Sequence, residues 1–272
     1  VVRGYNGAAA TKTDGTLWTW GRNSHGWFGN NTEGNPTRRS SPVQLPGTTW
    51  GSQFIVGYYS VNAIKTDGTL WSWGNNTYGQ LGLNNRTEYS SPVEVPGNGS
   101  TWSKVSRNTF YSFGAVKTDG TLWTWGRNEQ GQLGLNNRTY YSSPVQIPGS
   151  TWANISCDQN RTLATKTDGT LWSWGESTYG ELGQNDDGAS AKRSSPTQIP
   201  GTNWNTDYFF IIDGSSGALK TDGTLWGWGR NSYGALGQSN KTDYSSPVQV
   251  PGTSWAKLYN SSGGRVALQS DG

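Results

Sequence analysis

Lys117-Thr118-Asp119-Gly120-Thr121-Leu122-Trp123 is one of five copies of a single phrase. The others begin at Lys12, Lys65, Lys166 and Lys220, and a degraded sixth, Gln269-Ser270-Asp271-Gly272, ends the chain. The steps between copies are 53, 52, 49, 54 and 49 residues, so the chain is organised by one period. Outward from the phrase, each period predicts four short strands. Trp102–Ser106 leads into Gly114–Lys117. Thr-Asp-Gly then supplies a hairpin turn, because Asp and Gly accept the backbone angles that tight turns demand. Thr121–Gly126 alternates with period 2, Leu122 on one face and both tryptophans on the other. A glycine-rich connector, Asn128–Gly134, precedes Ser143–Gly149, whose flanking prolines make it a short edge strand.

Four strands in about fifty residues is the pattern of a β-propeller blade. Leu70–Gly82 (LWSWGNNTYGQLG), then Ser90–Pro96 (SSPVEVP), then a strand ending in Ala-x-Lys, resembles the RCC1 (regulator of chromosome condensation) repeat. The resemblance covers the whole chain. It implies an all-β propeller, usually seven-bladed, and the five full repeats plus a partial sixth fit part of a six- or seven-bladed ring. The expected organisation is one domain over 1–272, with repeat units near 1–49, 50–101, 102–151, 152–203, 204–254 and a partial 255–272. The near-identical copies and their SSPVQ-x-PG phrasing look more like bacterial and bacteriophage members than the eukaryotic nuclear exchange factor.

Composition agrees with a core made of rings. Leu, Ile, Val and Phe make up about 15% of the chain, below the level at which disorder becomes plausible. Yet the formal charge is only +3 and aromatics reach 13%, with 16 Trp, and 39 Gly argue against helices. Fifteen of the 16 tryptophans follow the period, which reads as packing between blades, and Trp27 alone stands out as a surface candidate. One Cys, Cys157, and one His, His25, leave no disulfide, thiolate zinc site or His-paired metal site. The scattered basic residues are no nucleic-acid footprint, and no apolar run is long enough for membrane insertion. The Asp of each Thr-Asp-Gly reads as a turn residue, and the lysine column as a solvated strand end. No Walker-type loop or Ser/His/Asp set is visible, so no catalytic, cofactor or metal residues are assigned.

Function is sought where a repeat departs from its consensus. The first repeat replaces Tyr-Gly-Gln-Leu-Gly by His25-Gly26-Trp27-Phe28-Gly29 and carries Arg38-Arg39 where Glu88-Tyr89 stands later. The fourth has Glu176 and a changed connector with Asp186-Asp187, running to Arg193. The loops between first and second strands vary: Tyr58-Tyr59, Phe110-Tyr111, Asn160-Arg161, Ser215-Ser216 and Gly263-Gly264-Arg265. The candidate partner-binding set is therefore His25, Trp27, Phe28, Arg38, Arg39, Tyr58, Tyr59, Phe110, Tyr111, Arg161, Asp186, Asp187 and Arg193. In many family members a His stands three residues before the Ala-x-Lys strand. Here that column reads Gly7, Ser60, Ser112, Arg161, Ser215 and Gly264, so the GTPase-contacting His that the resemblance implies has no counterpart.

The expected role is non-enzymatic: a structural or adhesion module of a larger virion or bacterial surface protein, binding protein subunits or a glycan. The chain reads as a window onto a longer polypeptide, located on a virion or cell surface. The alternatives are a regulatory binder of a small GTPase, by resemblance to the exchange factor, and a proteinaceous enzyme inhibitor.

Overall fold

The structure is a computed structural model, and it describes residues 2–3, 7–32, 38–97, 101–106, 110–188, 191–212, 214–261 and 264–270. Gly263 and Asp271 lie outside the described residues. Five four-stranded sheets cover residues 2–44, 50–94, 102–147, 152–198 and 204–249, and a two-stranded sixth covers 255–269. They are numbered here as blades 1 to 5 and the sixth sheet. Each is an antiparallel meander in which every strand pairs with its neighbour in sequence. The chain is thus all-β and built of four-stranded blades, as the repeat predicts.

Blade 3 shows how the repeat builds a blade. Its strands are Trp102–Val105, Ser112–Lys117, Leu122–Gly126 and Tyr141–Ile147. The second and fourth begin two residues earlier than the sequence pattern suggests. Ser112 pairs with Gly126 across one hairpin, and Tyr141 pairs with the same Gly126 across the next, beyond a break in register after Thr124. Gly120 turns the hairpin at φ +76°, which only glycine adopts without strain. Asp119 Oδ1 accepts hydrogen bonds from the Thr121 amide at 2.9 Å and hydroxyl at 2.7 Å, and Trp123 Nε1 donates to that hydroxyl at 2.9 Å. One short phrase therefore fixes the turn and the orientation of the first tryptophan of each pair.

Four lysines of the column are packed on rings and are not solvated strand ends, while Lys12 is exposed over the single ring of Trp18. Lys117 is only 5% exposed, with its ammonium 4.8 Å from the ring centres of both Trp102 and Trp123. Lys65, Lys166 and Lys220 sit on the equivalent pairs Trp50/Trp71, Trp152/Trp172 and Trp204/Trp226. Two electron-rich faces per cation make these four lysines part of the packing.

The chain divides into two compact units, Val1–Asn128 with Thr139–Ser150, and Glu129–Arg138 with Thr151–Gly272. The same stitch joins neighbouring blades within each unit. The second tryptophan of a pair donates its indole N–H to the connector carbonyl of the preceding blade. In the first unit Trp73 reaches Trp27 O at 2.8 Å and Trp125 reaches Gln80 O at 2.9 Å. In the second unit Trp174 reaches Gln132 O at 2.8 Å and Trp228 reaches Glu181 O at 2.9 Å. These four indoles are at most 1% exposed, so each combines a large buried area with a satisfied polar group. The connector lies close against the next blade: a Cβ on Gly79 would fall 2.6 Å from Ser142 Cα.

Trp27 and Phe28 belong to this packing and not to the surface. They are 2% and 1% exposed. Phe28 takes the place of Leu81, Leu133, Leu182 and Leu236, all buried. Trp27 takes the place of Gln80, and its ring occupies the space beside Gly7, where a Cβ would lie 2.2 Å from Trp27 Cζ2. Its indole N–H donates to the Arg22 carbonyl.

Candidate functional site

The loops flagged between first and second strands converge in the first unit on a strip of half-exposed rings. Tyr58 and Tyr59 sit between the strands Trp50–Val56 and Ser60–Lys65 of blade 2. Phe110 and Tyr111 immediately precede Ser112–Lys117 of blade 3. The ring centres of Tyr58 and Tyr59 are 4.2 Å apart, and Tyr58 stacks on Phe110 at 5.5 Å with a 25° interplanar angle. Tyr58 also meets Tyr111 at 6.1 Å, Tyr111 meets Tyr78 at 4.9 Å, and Tyr78 meets Tyr140 at 5.8 Å.

The two ends of the strip differ in charge. At one end His25 packs on Tyr59 at 4.9 Å, and its Nδ1 lies 2.9 Å from Glu88 Oε2. His25 reaches this place because its own backbone turns through φ 59°, inside the short helical turn Ser24–Gly26. At the other end the Arg127 guanidinium lies 5.6 Å from the Tyr78 ring centre and Arg86 lies 5.9 Å from Tyr140. Burial pushes the Tyr111 phenol above its ordinary value, the neighbouring Tyr78 and Tyr59 add to this, and Arg127 pulls against it. Rigid rings with hydroxyl tips, flanked by an acid and two arginines, suit recognition of a protein surface.

Sequence reasoning found His25, Tyr58, Tyr59, Phe110 and Tyr111 but missed Tyr78, Tyr140, Arg86 and Arg127. Tyr78 was hidden because Tyr179 and Tyr233 occupy the same place in later repeats, so it reads as consensus. The arginines carry no sequence signal of their own.

Arg161 forms a different kind of site, in the second unit. It opens the strand Arg161–Lys166, and its side chain is 11% exposed. Its Nη1 lies 2.6 Å from Glu181 Oε1 and its Nε 3.3 Å from Asp158 Oδ2. Asn160 donates to Glu176 Oε2 at 2.7 Å, and Lys192 Nζ stands 3.8 Å from Glu176 Oε1. Burial works against the charged guanidinium, but Asp158, Glu181 and Glu176 outweigh it and raise its pKa above the ordinary arginine value. This is a closed ion cluster that holds blade 4 together. It explains Glu176 as a departure made for structural reasons. Glu181 escaped notice because Glu in a Gln column looks conservative.

The remaining candidates are dispersed. Arg193 pairs with Asp186, Asp187 is exposed, and Arg38 and Arg39 are exposed at the start of the fourth strand of blade 1. Among the described residues no group of three or more His, Cys, Asp or Glu could hold a metal ion, and no helix is long and apolar enough to cross a membrane.

The comparisons agree with this architecture. The model of the regulator of chromosome condensation (RCC1) repeat matches residues 67–107, 119–164, 168–218 and 222–258. The ultraviolet-B receptor UVR8 of Arabidopsis thaliana is 30% identical over 243 residues, covering 86% of this chain and 52% of the receptor. Human protein RCC2 is 33% identical over 130 residues, covering 46% of this chain and 24% of RCC2. The structure of Prp20p from Saccharomyces cerevisiae, studied with its binding to Gsp1p and histones, superposes with a TM-score of 0.74 at 19% identity, covering 91% of this chain and 62% of Prp20p. The chain spans about half the length of UVR8. All three are eukaryotic, so the expected likeness to bacterial and bacteriophage members finds no support in them. With the repeat model matching more than half of its length, the chain belongs to the RCC1 repeat family.

Proposed function

We propose that this chain is a protein-binding propeller module that regulates its partner by docking and carries out no chemistry of its own. The observation that carries this reading is the continuous ring strip from His25 and Tyr59 through Tyr58, Phe110 and Tyr111 to Tyr78 and Tyr140. Aromatic and arginine side chains are the residue types that dominate binding energy at protein interfaces. Prp20p, whose fold is similar, binds Gsp1p and histones, which supports a protein partner over a small molecule. Within that reading the partner we favour is a small GTPase. The relatives back this regulatory alternative better than a virion module. With Ser60 and Ser112 in the column where the family's GTPase-contacting His stands, contact would run through the tyrosines.

The test is a binding titration and a nucleotide-release assay against a panel of small GTPases. Tyr58→Ala with Tyr111→Ala should weaken binding by about 30-fold or more, on the scale of two interface anchors. The unfolding midpoint should move little, because both rings are half-exposed. A GTPase bound equally by the double variant would refute the docking surface, and a panel with no binder would remove the GTPase reading. A second reading, a structural module of a bacterial or virion surface, keeps one observation in its favour. The edge strands of blades 2 to 5 carry half-buried Ser-Ser-Pro segments in their first halves, a surface fit for packing beside other subunits. The mass and N-terminal sequence of the native polypeptide would separate the two.

A further inference from the structure

Blade 1 departs from its neighbours at one more connector position. The residue after the last connector glycine is Leu83 in blade 2, Leu135 in blade 3, Gln184 in blade 4 and Gln238 in blade 5, but Asn30, the shortest of the five, in blade 1. Leu83 is 7% exposed and belongs to the apolar cluster of Trp102 and Trp125, with Trp123 packed against it. The ring pair beside it, Trp102 and Trp123, stands at 6.3 Å and 75°. One blade earlier the same pair, Trp50 and Trp71, stands at 6.3 Å and 77°. The receiving geometry is therefore the same, but the side chain that fills it is missing. Asn30 is too short and polar to replace leucine, and its amide oxygen is engaged by the Thr32 hydroxyl. What remains is an open cavity of 310 Å³ bordered by Asn30, Pro46, Trp50, Lys65, Trp71 and Pro92.

We propose that this groove is a second docking site, taking a leucine-like side chain next to a carboxylate on an extended segment of a protein partner. Leu83 shows, inside the same molecule, which side chain such a Trp/Trp/Lys setting accommodates when it is peptide-borne. The cavity is at the small end for a ligand pocket, enough for one side chain and its backbone. The carboxylate follows from Lys65, whose ammonium lies on the groove wall, 3.7 Å from the Trp71 ring centre. This site is independent of the tyrosine strip. Tyr59 precedes and Lys65 ends the strand Ser60–Lys65, which separates them by about 20 Å along the strand.

The probe is N-acetyl-Leu-Asp-amide, titrated into the intact chain while the indole N–H resonances are followed by NMR. Saturable shifts are expected at Trp50 and Trp71 and none at Trp228. N-acetyl-Ala-Asp-amide should bind about tenfold more weakly or worse, since the leucine methyls supply the buried area. Lys65→Gln should weaken the Leu-Asp peptide several-fold and leave N-acetyl-Leu-Asn-amide unchanged. Asn30→Leu, which fills the groove from within, should abolish the shifts, with an unaltered Trp125 resonance showing that the blades remain folded. Equal shifts from the Leu and Ala peptides, no shift at Trp50 and Trp71, or a folded Asn30→Leu protein that titrates like the parent would each overturn the proposal. None of these results touches Tyr58 or Tyr111, so the strip stands or falls separately.

Discussion

Arg161 and Glu181 depart from the repeat together, which makes their coupling measurable. In blades 2 and 3 the same two places hold Ser60 with Gln80 and Ser112 with Gln132. Glu181→Gln leaves the local turn intact, because the Tyr179 amide that donates to Glu181 Oε2 at 2.7 Å has counterparts donating to Gln80 Oε1 at 2.8 Å and Gln132 Oε1 at 2.9 Å. The substitution deletes one charge beside a guanidinium that is 11% exposed. Breaking a buried pair costs about 3–5 kcal/mol, and Asp158 at 3.3 Å retains part of the compensation, so about 3 kcal/mol is expected. Arg161→Ser strands a carboxylate that is only 1% exposed, and about 4 kcal/mol is expected. The double variant recreates the Ser/Gln pairing of the neighbouring blades, leaving only Asp158 without its arginine, at about 1–2 kcal/mol. Urea unfolding followed by tryptophan fluorescence, with equal m values across the four proteins, gives the cycle. A coupling energy of several kcal/mol is the expected outcome. Additivity within about 0.5 kcal/mol would mean that the two groups do not interact and that the ion cluster is misassigned.

Three further outcomes follow from the same geometry. Gly7→Ala should destabilise by about 2–3 kcal/mol in the same unfolding assay, since its Cβ would fall 2.2 Å from the Trp27 ring and 2.4 Å from the Trp20 carbonyl oxygen. Lys117→Met should cost about 1–2 kcal/mol through loss of a desolvated cation between two indoles, and Lys12→Met, on the single ring of Trp18, about 0.5 kcal/mol. Thr69's hydroxyl and amide hold the Asp67 carboxyl below its ordinary 3.8, and matching threonines do the same for Asp14, Asp119, Asp168 and Asp222. A folded-state pKa below the unfolded value stabilises the fold above pH 3.8 and is lost as pH falls through the folded values. Thermal midpoints measured from pH 5 downward should therefore fall beginning near pH 4, and replacing Asp67 and Asp168 by Asn should flatten that fall.

The blade was legible in the sequence because every element of its phrase has a local cause. Asp119 holds Thr121, Thr121 holds Trp123, Gly120 turns the chain, and Leu122 is fully buried. Contacts between elements were less legible than the turns, because their partners stand apart in sequence, Lys117 15 residues from Trp102 within one blade and Trp125 45 residues from Gln80 in the blade before. The lysine column looked like a strand end until Trp102 and Trp123 were seen to enclose Lys117. Trp27 looked exposed because it was the one tryptophan outside the period, and nothing in its neighbourhood names Gly7 as the residue that makes room for it. The tyrosine strip was half legible: departures marked Tyr58, Tyr59, Phe110 and Tyr111, but Tyr78 and Arg127 join only through the fold.

These cases separate two kinds of departure in a repeat protein. Trp27 is matched by the loss of a side chain at Gly7, and Arg161 is matched by Glu181. Each pair closes on itself, leaves no surface behind, and preserves the packing of its blade. A departure that serves a partner has no reason to be matched within the chain. Tyr58, Tyr59, Phe110 and Tyr111 replace nothing that another blade supplies, and they remain half-exposed. Asn30 goes further, removing an apolar side chain and leaving Trp50 and Trp71 with an unfilled volume. Leucine at this place, as in blades 2 and 3, buries its methyls against the neighbouring indoles, which is worth about 2 kcal/mol. Blades 4 and 5 carry Gln184 and Gln238 there, whose longer amides bond within their own blades, whereas Asn30 is the shortest of the five and leaves the groove beside Trp50 and Trp71 to be filled from outside.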